Sequence, residues 1–509
     1  METNEQIRRV LSKALEEELE SFLEQVSQMT EGELKQLEEQ VVKSSQAIGR
    51  KLMEGVLNSR LHERRPVARR EGSCGHMQRL VGERPKELIT LVGPVSFVRP
   101  YYQCLHGGET QEEQACTHGE APADALWGVD KQRTTPGVQQ HISYLSARLT
   151  FEEAAQTMCR SVPIGMSGRQ ALNLMRPVGE ALAAEEDRQV TVLQAQAKQA
   201  QSQPCAQRQP PKEIERLYIE LDGVLARMRR GSVPMEKEEL QRQGDIYREI
   251  KAGAVFRAER GPQRSELAPG VYVDTPAPDS VRYVARRTAK GGFAWLLYHL
   301  ARQCGLEQAQ QVVVLGDGAP WIWNLVAEHF PEAVQIVDLY HAKEHVWDVA
   351  HAVFGRGTAV GTAWATHACS LLEQGQSEAL VSAIQALPPI PPEPGQARSI
   401  PERAVDYFTT NAQRMRYPVF RAQGMHIGSG IAEAACKTIV STRAKRSGMR
   451  WTPEGLDALL PLRTAVLNDT YDSFWEEEYA ACLPTTNSYT LFSPNPFFPS
   501  SLIAFHALQ

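Results

Sequence analysis

The spacing of apolar positions changes several times along this chain. In the opening segment Leu11, Leu15, Leu19, Phe22 and Val26 recur at intervals of three and four, with Glu and Lys between them. Such a stripe predicts an amphipathic helical hairpin over residues 1 to about 58. Its apolar side packs on the body of the protein or on a second subunit; an arm laid on DNA is the other reading. Between 70 and 130 the pattern turns to short β-like runs, among them LITLVGPVSFVRPYYQC, with Cys and His residues clustered around them. Helical spacing returns from about 136 to 186. There the segment SYLSARLTFEEAAQTMCRSVPIGMSGRQALNLMRPVGEAL reads as a helix, a turn and a second helix capped by Ser167. Arg169 and Gln170 open that second helix, where helix-turn-helix units reach base edges. Two packed helices with no role on DNA fit the pattern equally well.

A Gln-, Ala- and Pro-rich stretch, QAQAKQAQSQPCAQRQPPK, then reads as a helix running into a linker. Beyond it the pattern becomes α/β. IERLYIELDG, REIKAGAVFRAER and VRYVARR are strands, AWLLYHLARQCG is a helix, and QVVVLGDGAPWIWN and AVQIVDLYH supply two more strands. Three strands in a meander, a helix and further strands follow the order of a ribonuclease H-like core, by analogy with a known fold. The predicted class is therefore α/β: such a core with a helical insertion, after a helical and small zinc-ribbon-like N-terminal region. The divisions are 1–68 (helical, dimerisation or DNA arm), 69–132 (Cys/His module), 133–212 (helix-turn-helix-like region and linker), 213–342 (core), 343–426 (helical insertion), 427–482 (last core helix and basic segment) and 483–509 (tail).

Length and composition alter little in this picture. A chain of 509 residues exceeds one hydrophobic core and implies two to four domains. No apolar run reaches the length of a membrane span, and the charged start METNEQIRRVLSKALEEELE has no signal-peptide core. Both predict a cytoplasmic protein without a membrane partner. The net charge of −6 counts against a nucleic-acid binder, but DNA responds to local patches, and RLHERRPVARR, RMRR and RAKRSGMR are strongly basic.

The candidate chemistry lies in carboxylates. Asp222 ends an apolar strand and precedes Gly223; Asp317 ends VVVL and sits between two glycines. Strand ends are where α/β sheets bind ligands, and glycines allow a sharp turn and a close approach. Turn anchoring or helix capping accounts for either Asp alone. Glu433, in the helix beginning near Ser429, is alone just a favourable charge at a helix start, paired with Lys437.

Taken in order, IELDG, VVVLGDGAPWIWN, VDLYHAKEHVW and GSGIAEAACKTIVSTRAKRSGMRW resemble bacterial insertion-sequence transposases of the DDE type, the Kra group in particular, distant relatives of the eukaryotic Mutator-type enzymes. The resemblance covers roughly 214 to 470 well and the first 190 residues loosely. It implies that Asp222, Asp317 and Glu433 bind two Mg²⁺ (or Mn²⁺) ions, and that residues 343 to about 425 are inserted before the last catalytic helix. It implies double-stranded DNA as partner, both element ends and target, handled by a homodimer or higher oligomer. His341, in a D-x-x-H string with Asp338, is implied as an active-site neighbour; a hydrogen-bonded core histidine is the plainer reading. Lys437, Arg443, Lys445, Arg446 and Arg450 follow Glu433 closely enough to hold DNA phosphates, unless they form a solvated basic face. Trp321, Trp323 and Trp451 read as core packing.

Nine cysteines in a reducing compartment favour free thiols or zinc over disulfides. Cys74, His76, Cys104, His106 and Cys116 are candidate zinc ligands among short strands. The Kra-type enzymes carry C-x-x-C pairs here, and this chain does not, so His76 and His106 replace the second cysteines, or Cys116 completes the set, or the metal has been lost. Two alternatives to an active transposase remain: a domesticated DNA-binding protein that no longer cuts, and a structure-selective nuclease on the same fold.

Overall fold

The computed structural model describes residues 2–29, 34–62, 66–105, 116–127, 129, 133–202, 213–232, 245–262, 272–288 and 291–476. The chain divides into two compact units, one of residues 1–174 with those from 473 onward, the other of residues 175–472. His106 and the 483–509 tail fall outside the described residues.

In the first unit the 3–4 stripe produces α1 (Glu2–Ser27) and α2 (Leu34–His62), the expected hairpin. Lys51 of α2 ties them, bonding to Glu18 at 3.2 Å and to the Ala14 carbonyl at 3.4 Å. The β-like runs are longer than their sequence suggests. After β1 (Arg69–Glu71), β2 (Met77–Thr90) and β3 (Gly93–Cys104) form an antiparallel hairpin, and β4 (Gly119–Glu120) adds to β3. Val95 and Phe97 alternate inward from β3 and pack with Leu88 and with Leu57 of α2. α3 (Pro122–Leu126) brings Asp124 between Arg99 (2.7 Å) and Lys86 (3.1 Å), so this largely buried carboxylate is paired on two sides. α4 (Pro136–Arg148), α5 (Phe151–Ser161) and the start of α6 (Gly168–Ser202) enclose a separate core of Val138, Ile142, Ala154, Ala155, Met158 and Ala171. Thr150 and Glu153 form a capping box on α5.

The second unit is built on a mixed six-stranded sheet. β5 (Ile214–Met228) is central. Residues 216–221 are buried on both faces, which requires helices above and below. β6 (Ile246–Pro262) runs antiparallel to β5, with Asp222 opposite Ala252. β7 (Tyr272–Pro276) and β8 (Arg282–Arg287) both pair with β6, β7 on 258–262 and β8 on 250–255. α7 (Phe293–Gln303) leads to β9 (Ala309–Gly316), which lies parallel to β5 on its other side. α8 (Pro320–His329) leads to β10 (Val334–Val337), parallel to β9.

The last strand stops earlier than the sequence reading placed it. Asp338 leaves the sheet and caps α9 (Leu339–Phe354), its carboxylate accepting from the Tyr340 and His341 amides at 2.5 and 3.1 Å. A hydrogen-bonded cap outcompetes an added strand residue here. Helices α10 (Ala359–Glu373), α11 (Ser377–Gln385), α12 (Ile400–Asn411) and α13 (Tyr417–Ala422) follow, broken by the Pro-rich loop before Ser399. α14 (Gly430–Cys436) runs into a π turn over Lys437–Ser441 and the short α15 (Thr442–Ala444). α16 (Pro453–Leu467) closes the unit, joined to β8 by the Arg287–Asp457 pair at 2.6 Å.

α6 and α16 approach closely. A Cβ on Gly179 would sit 2.1 Å from the backbone oxygen of Ala458. Backbone cannot yield as a side chain does, so Gly179→Ala is expected to destabilise the unit by about 1–3 kcal/mol, the cost of overpacking. Thermal unfolding followed by circular dichroism checks this. An unchanged melting temperature would mean that the helix pair shifts freely.

Candidate functional site

The parallel register of β5 and β9 sets the geometry. Glu220 lies beside Leu315, and Asp222 and Asp317 each stand two residues further along. Strands pair about 4.8 Å apart, so the two aspartates stand side by side, Asp317 just past the end of β9 but Asp222 inside β5, which does not end there as its sequence suggests and runs on to Met228, paired with β6. Asp222 Oδ1 accepts from the Gly223 amide at 2.7 Å, and its carboxylate lies beside the Cys436 thiol. Burial pushes the Asp222 carboxyl above its usual range, and the neighbouring Asp317 carboxylate adds to the rise. The Cys436 thiol, the Gly223 amide and nearby His341 oppose it.

Asp317 Oδ1 accepts from the Ala319 amide at 2.9 Å, and its backbone oxygen accepts from the Tyr407 hydroxyl at 2.8 Å. Between them Gly318 sits at φ +96°, and a Cβ there would meet the Tyr407 ring at 2.5 Å. The turn after Asp317 therefore requires glycine. The His345 ring lies 4.1 Å from that of Tyr407 and 5.0 Å from that of His341. Burial, and then His341, hold His345 below its usual pKa.

Glu433 arrives on α14. Ala432, Ala435 and Cys436 face inward and are buried, whereas Glu433 is exposed. Its link to the aspartates runs through Cys436, whose thiol lies beside Asp222 and feels both the Asp222 and the Glu433 charge. Among the described residues none of Asp222, Asp317 and Glu433 forms an ion pair, Lys437 included. The three carboxylates do not all fall within 4.8 Å of one another.

Two acids around this site were not picked out from the sequence as ligands or holders. Glu220 is wholly buried, and its Oε2 accepts from the Ala432 amide at 2.7 Å. Asp338 accepts from the Ser429 amide at 2.6 Å and from the Ser429 hydroxyl. Glu220 was visible only as the residue two before Asp222, which period-two geometry places on the same strand face. Burial is the main force pushing the Glu220 carboxyl up to about 8, against the Ala432 and Ile431 amides, which favour ionisation. The folded protein thus holds a proton there that the unfolded chain releases near the ordinary value of 4.5. That stability is complete below the unfolded pKa and is lost as pH rises through the folded one. Between pH 5 and 9 the melting temperature of the wild type should fall more steeply than that of Glu220→Gln, which has no proton to lose. Parallel curves would show that Glu220 is already ionised.

The basic residues after Glu433 separate into two groups. Lys437, Lys445 and Arg446 are exposed, and Arg450 is exposed but pairs with Asp245 at 3.3 Å. Arg443 does not belong on a DNA-facing surface: it is completely buried, its guanidinium 5.4 Å from the Trp451 ring centre. Trp451 is also buried, donating from Nε1 to the Ala444 carbonyl at 2.8 Å and bridging to the end of β5. Arg443 belongs to the packing that seats this segment. In the first unit Arg169 is exposed. The Gln170 side chain accepts from the Ser167 amide at 2.9 Å, so it caps its helix.

A second constellation lies in that first unit. One ligand atom from each of Cys74, His76, Cys104 and Cys116 falls within 4.8 Å of all the others. Gly75, at φ +75°, makes the tight turn that sets Cys74 and His76 together, closed by the Gly72 amide on the His76 carbonyl at 2.9 Å. Cys104 ends β3, and Cys116 lies just before β4. Although burial raises it, Cys74 is held below the usual thiol range by bonds from the His76 backbone and from Cys104 and Cys116. His118 points elsewhere, to Ser73 and Glu120 at 3.0 and 3.2 Å.

Residues 280–477 match the model of an uncharacterised protein family, UPF0236. A UPF0236 protein of Caldanaerobacter subterraneus subsp. tengcongensis is 21% identical over 388 residues, covering 74% of this chain and 67% of that one. Among solved structures, the Drosophila P element transposase strand transfer complex aligns over 69% of this chain and 82% of that chain, at 10% identity and a TM-score of 0.22, too low to argue from. No described helix is long and apolar enough to cross a membrane.

Proposed function

We propose that this chain is a metal-dependent DNA transposase of the DDE type, with Asp222, Asp317 and Glu433 as its carboxylates on a ribonuclease H-like core. The observation that carries this reading is the pair of unneutralised aspartates at one level of adjacent parallel strands, with the Glu433 helix joined to Asp222 through Cys436. The order β8-β6-β5-β9-β10, an antiparallel meander extended by two parallel strands, agrees with such a core. The bacterial relative's name joins eleven locus designations, a copy number in keeping with a mobile element.

The donor set fits magnesium: hard oxygen ligands that form no ion pair among the described residues. A spread wider than 4.8 Å suits two ions better than one. When bound, such ions activate the attacking oxygen and stabilise the leaving one. The protein's own part is positional. Asp222 and Asp317 hold the floor of the site, Glu433 closes it from α14, and His341 lies near Asp222 to meet the scissile phosphate. Lys437, Lys445 and Arg446 provide exposed cations for the backbone. Water attacks phosphorus and the bond to the 3′ oxygen breaks, leaving a 5′-phosphate and a 3′-hydroxyl; that hydroxyl then attacks a target phosphorus, whose own bond to a 3′ oxygen breaks and releases a target 3′-hydroxyl, each attacking oxygen losing its proton and each leaving oxygen gaining one. No covalent protein intermediate is needed. In the first unit we assign Cys74, His76, Cys104 and Cys116 as a zinc site, a thiolate-rich set of four.

The test is to incubate the full chain with duplexes carrying the DNA that flanks its gene, with Mg²⁺ or Mn²⁺. Metal-dependent cleavage with end joining supports the transposase. Cleavage without joining identifies a nuclease, and specific binding without cleavage under either metal a domesticated binder.

A further inference from the structure

A ligand on a short helix is only as well placed as whatever holds the helix. α14 has only seven residues before the helix distorts into a π turn, so its own hydrogen bonds hold its first turn weakly. The exposed Glu433 side chain gives no anchor, so its position depends on the backbone ahead of it. Two buried carboxylates grip that backbone. Asp338 takes the Ser429 amide and hydroxyl. Glu220 takes the Ala432 amide at 2.7 Å, and the Ile431 amide beside it favours the charged carboxylate. Glu220 stands on the same strand and the same face as Asp222, two residues before it. It is a direct mechanical link between the strand of the first carboxylate and the helix of the last.

We propose that Glu220 is a positioning residue, a buried clamp that sets Glu433 against Asp222 and so fixes the separation at which the site takes its metal ions. This rests on the reading of those two residues as ligands. Glu220 acts through the Ala432 amide and touches neither metal nor DNA. Holders of this kind change metal affinity or activity by roughly 10- to 100-fold when removed.

The discriminating pair is Glu220→Met, which keeps the volume and loses the acceptor, and Glu220→Gln, which keeps an acceptor oxygen and, like the protonated acid, carries no charge. Two readouts are taken on the full chain: amide hydrogen exchange over 429–436 without metal, and the Mn²⁺ concentration for half-maximal DNA cleavage. Glu220→Met should speed exchange in that segment and raise the Mn²⁺ requirement about tenfold or more, with cleavage partly recovered at high Mn²⁺. Glu220→Gln should stay within about threefold of wild type on the same scale. Should the Met variant not fold, Glu220→Asp, shorter by one methylene, is expected to move both readouts in the same direction. Wild-type exchange in the Met or Asp variant overturns the clamp, whatever the activity. Faster exchange with an unchanged Mn²⁺ requirement overturns the positioning role. A Gln variant as impaired as the Met one makes Glu220 a ligand and likewise overturns it. If the wild type shows no metal-dependent cleavage, the transposase reading has failed and the positioning role falls with it, while the exchange data still report whether the clamp exists.

Discussion

Asp317→Asn is expected to lower strand cleavage at least about a thousandfold, equivalent to about 4 kcal/mol of transition-state stabilisation, while leaving the fold and the affinity for DNA close to wild type. The structure separates these effects. The structural duty of Asp317 is one hydrogen bond, from the Ala319 amide to Oδ1, which an asparagine carbonyl accepts equally well. Tyr407 bonds to the backbone oxygen and is indifferent to the side chain. The substitution therefore removes a charge and little else, and a charge with no ion pair among the described residues is one the fold does not use. Glu433→Gln should behave alike, since its side chain is exposed and unpaired among the described residues. The control is Asp245→Asn. Asp245 is an acid of the same unit, but it pairs with Arg227 and Arg450, which hold it below its usual range. Its loss should cost a modest fraction of activity. The assay is cleavage of flanking-end duplexes in Mg²⁺ and Mn²⁺, with circular dichroism and a binding titration on each variant. Full cleavage by both Asp317→Asn and Glu433→Gln would place the active site elsewhere.

Asp222 and Asp317 could be singled out from sequence because each ends an apolar run and meets a glycine; for Asp317 that pattern marks the end of β9, whereas β5 continues through Asp222 to Met228. Their neighbours were harder to see. Asp338 follows QIV as Asp222 follows IEL, but its carboxylate turns back to cap α9, so the residues read as strand begin a helix. Glu220 lies among the apolar Leu217, Tyr218, Ile219 and Leu221, and burial on both faces erases the polar alternation that would have marked it. The run of cations after Glu433 has no periodicity to separate a surface arginine from a core one. Arg443 is withdrawn beside Trp451 because a π turn alters the helical phase just before it, and no sequence rule announces a π turn. In the Cys/His module, Cys104 and Cys116 are brought together by β3 pairing with β4, a long-range contact that spacing along the chain cannot reveal.

Removing zinc from the Cys74, His76, Cys104 and Cys116 site should produce the largest structural effect of any single perturbation in the first unit. Four ligand atoms within 4.8 Å, three of them sulfur, would repel one another as thiolates without a cation. The polar end of the β2–β3 hairpin is held otherwise by polar contacts, among them the Arg70–Glu120 pair at 3.2 Å and the Tyr102 hydroxyl on the Val67 carbonyl at 3.0 Å, and not by an apolar core. Its apolar core of Leu57, Leu88, Val95, Phe97, Ala123 and Val129 gathers at the turn end, away from Cys104. β1 and β4 are only three and two residues long, too short to stand by pairing alone. A structural zinc site contributes its binding energy directly to folding, on the order of 10 kcal/mol. Purified protein is therefore expected to carry about one zinc per chain, as a closed four-ligand site requires. A strong chelator, or Cys104→Ser with Cys116→Ser, should release that zinc and speed amide exchange across 69–80 and 100–105. Exchange in β5 and β9 should stay slow, because their core is separate. Elemental analysis and exchange mass spectrometry decide the matter. A zinc-free protein whose 69–80 amides exchange as slowly as those of β9 would mean that the four side chains meet without a metal, and that hydrogen bonds such as those of Ser73 and His118 with Glu120 suffice to hold this end of the sheet.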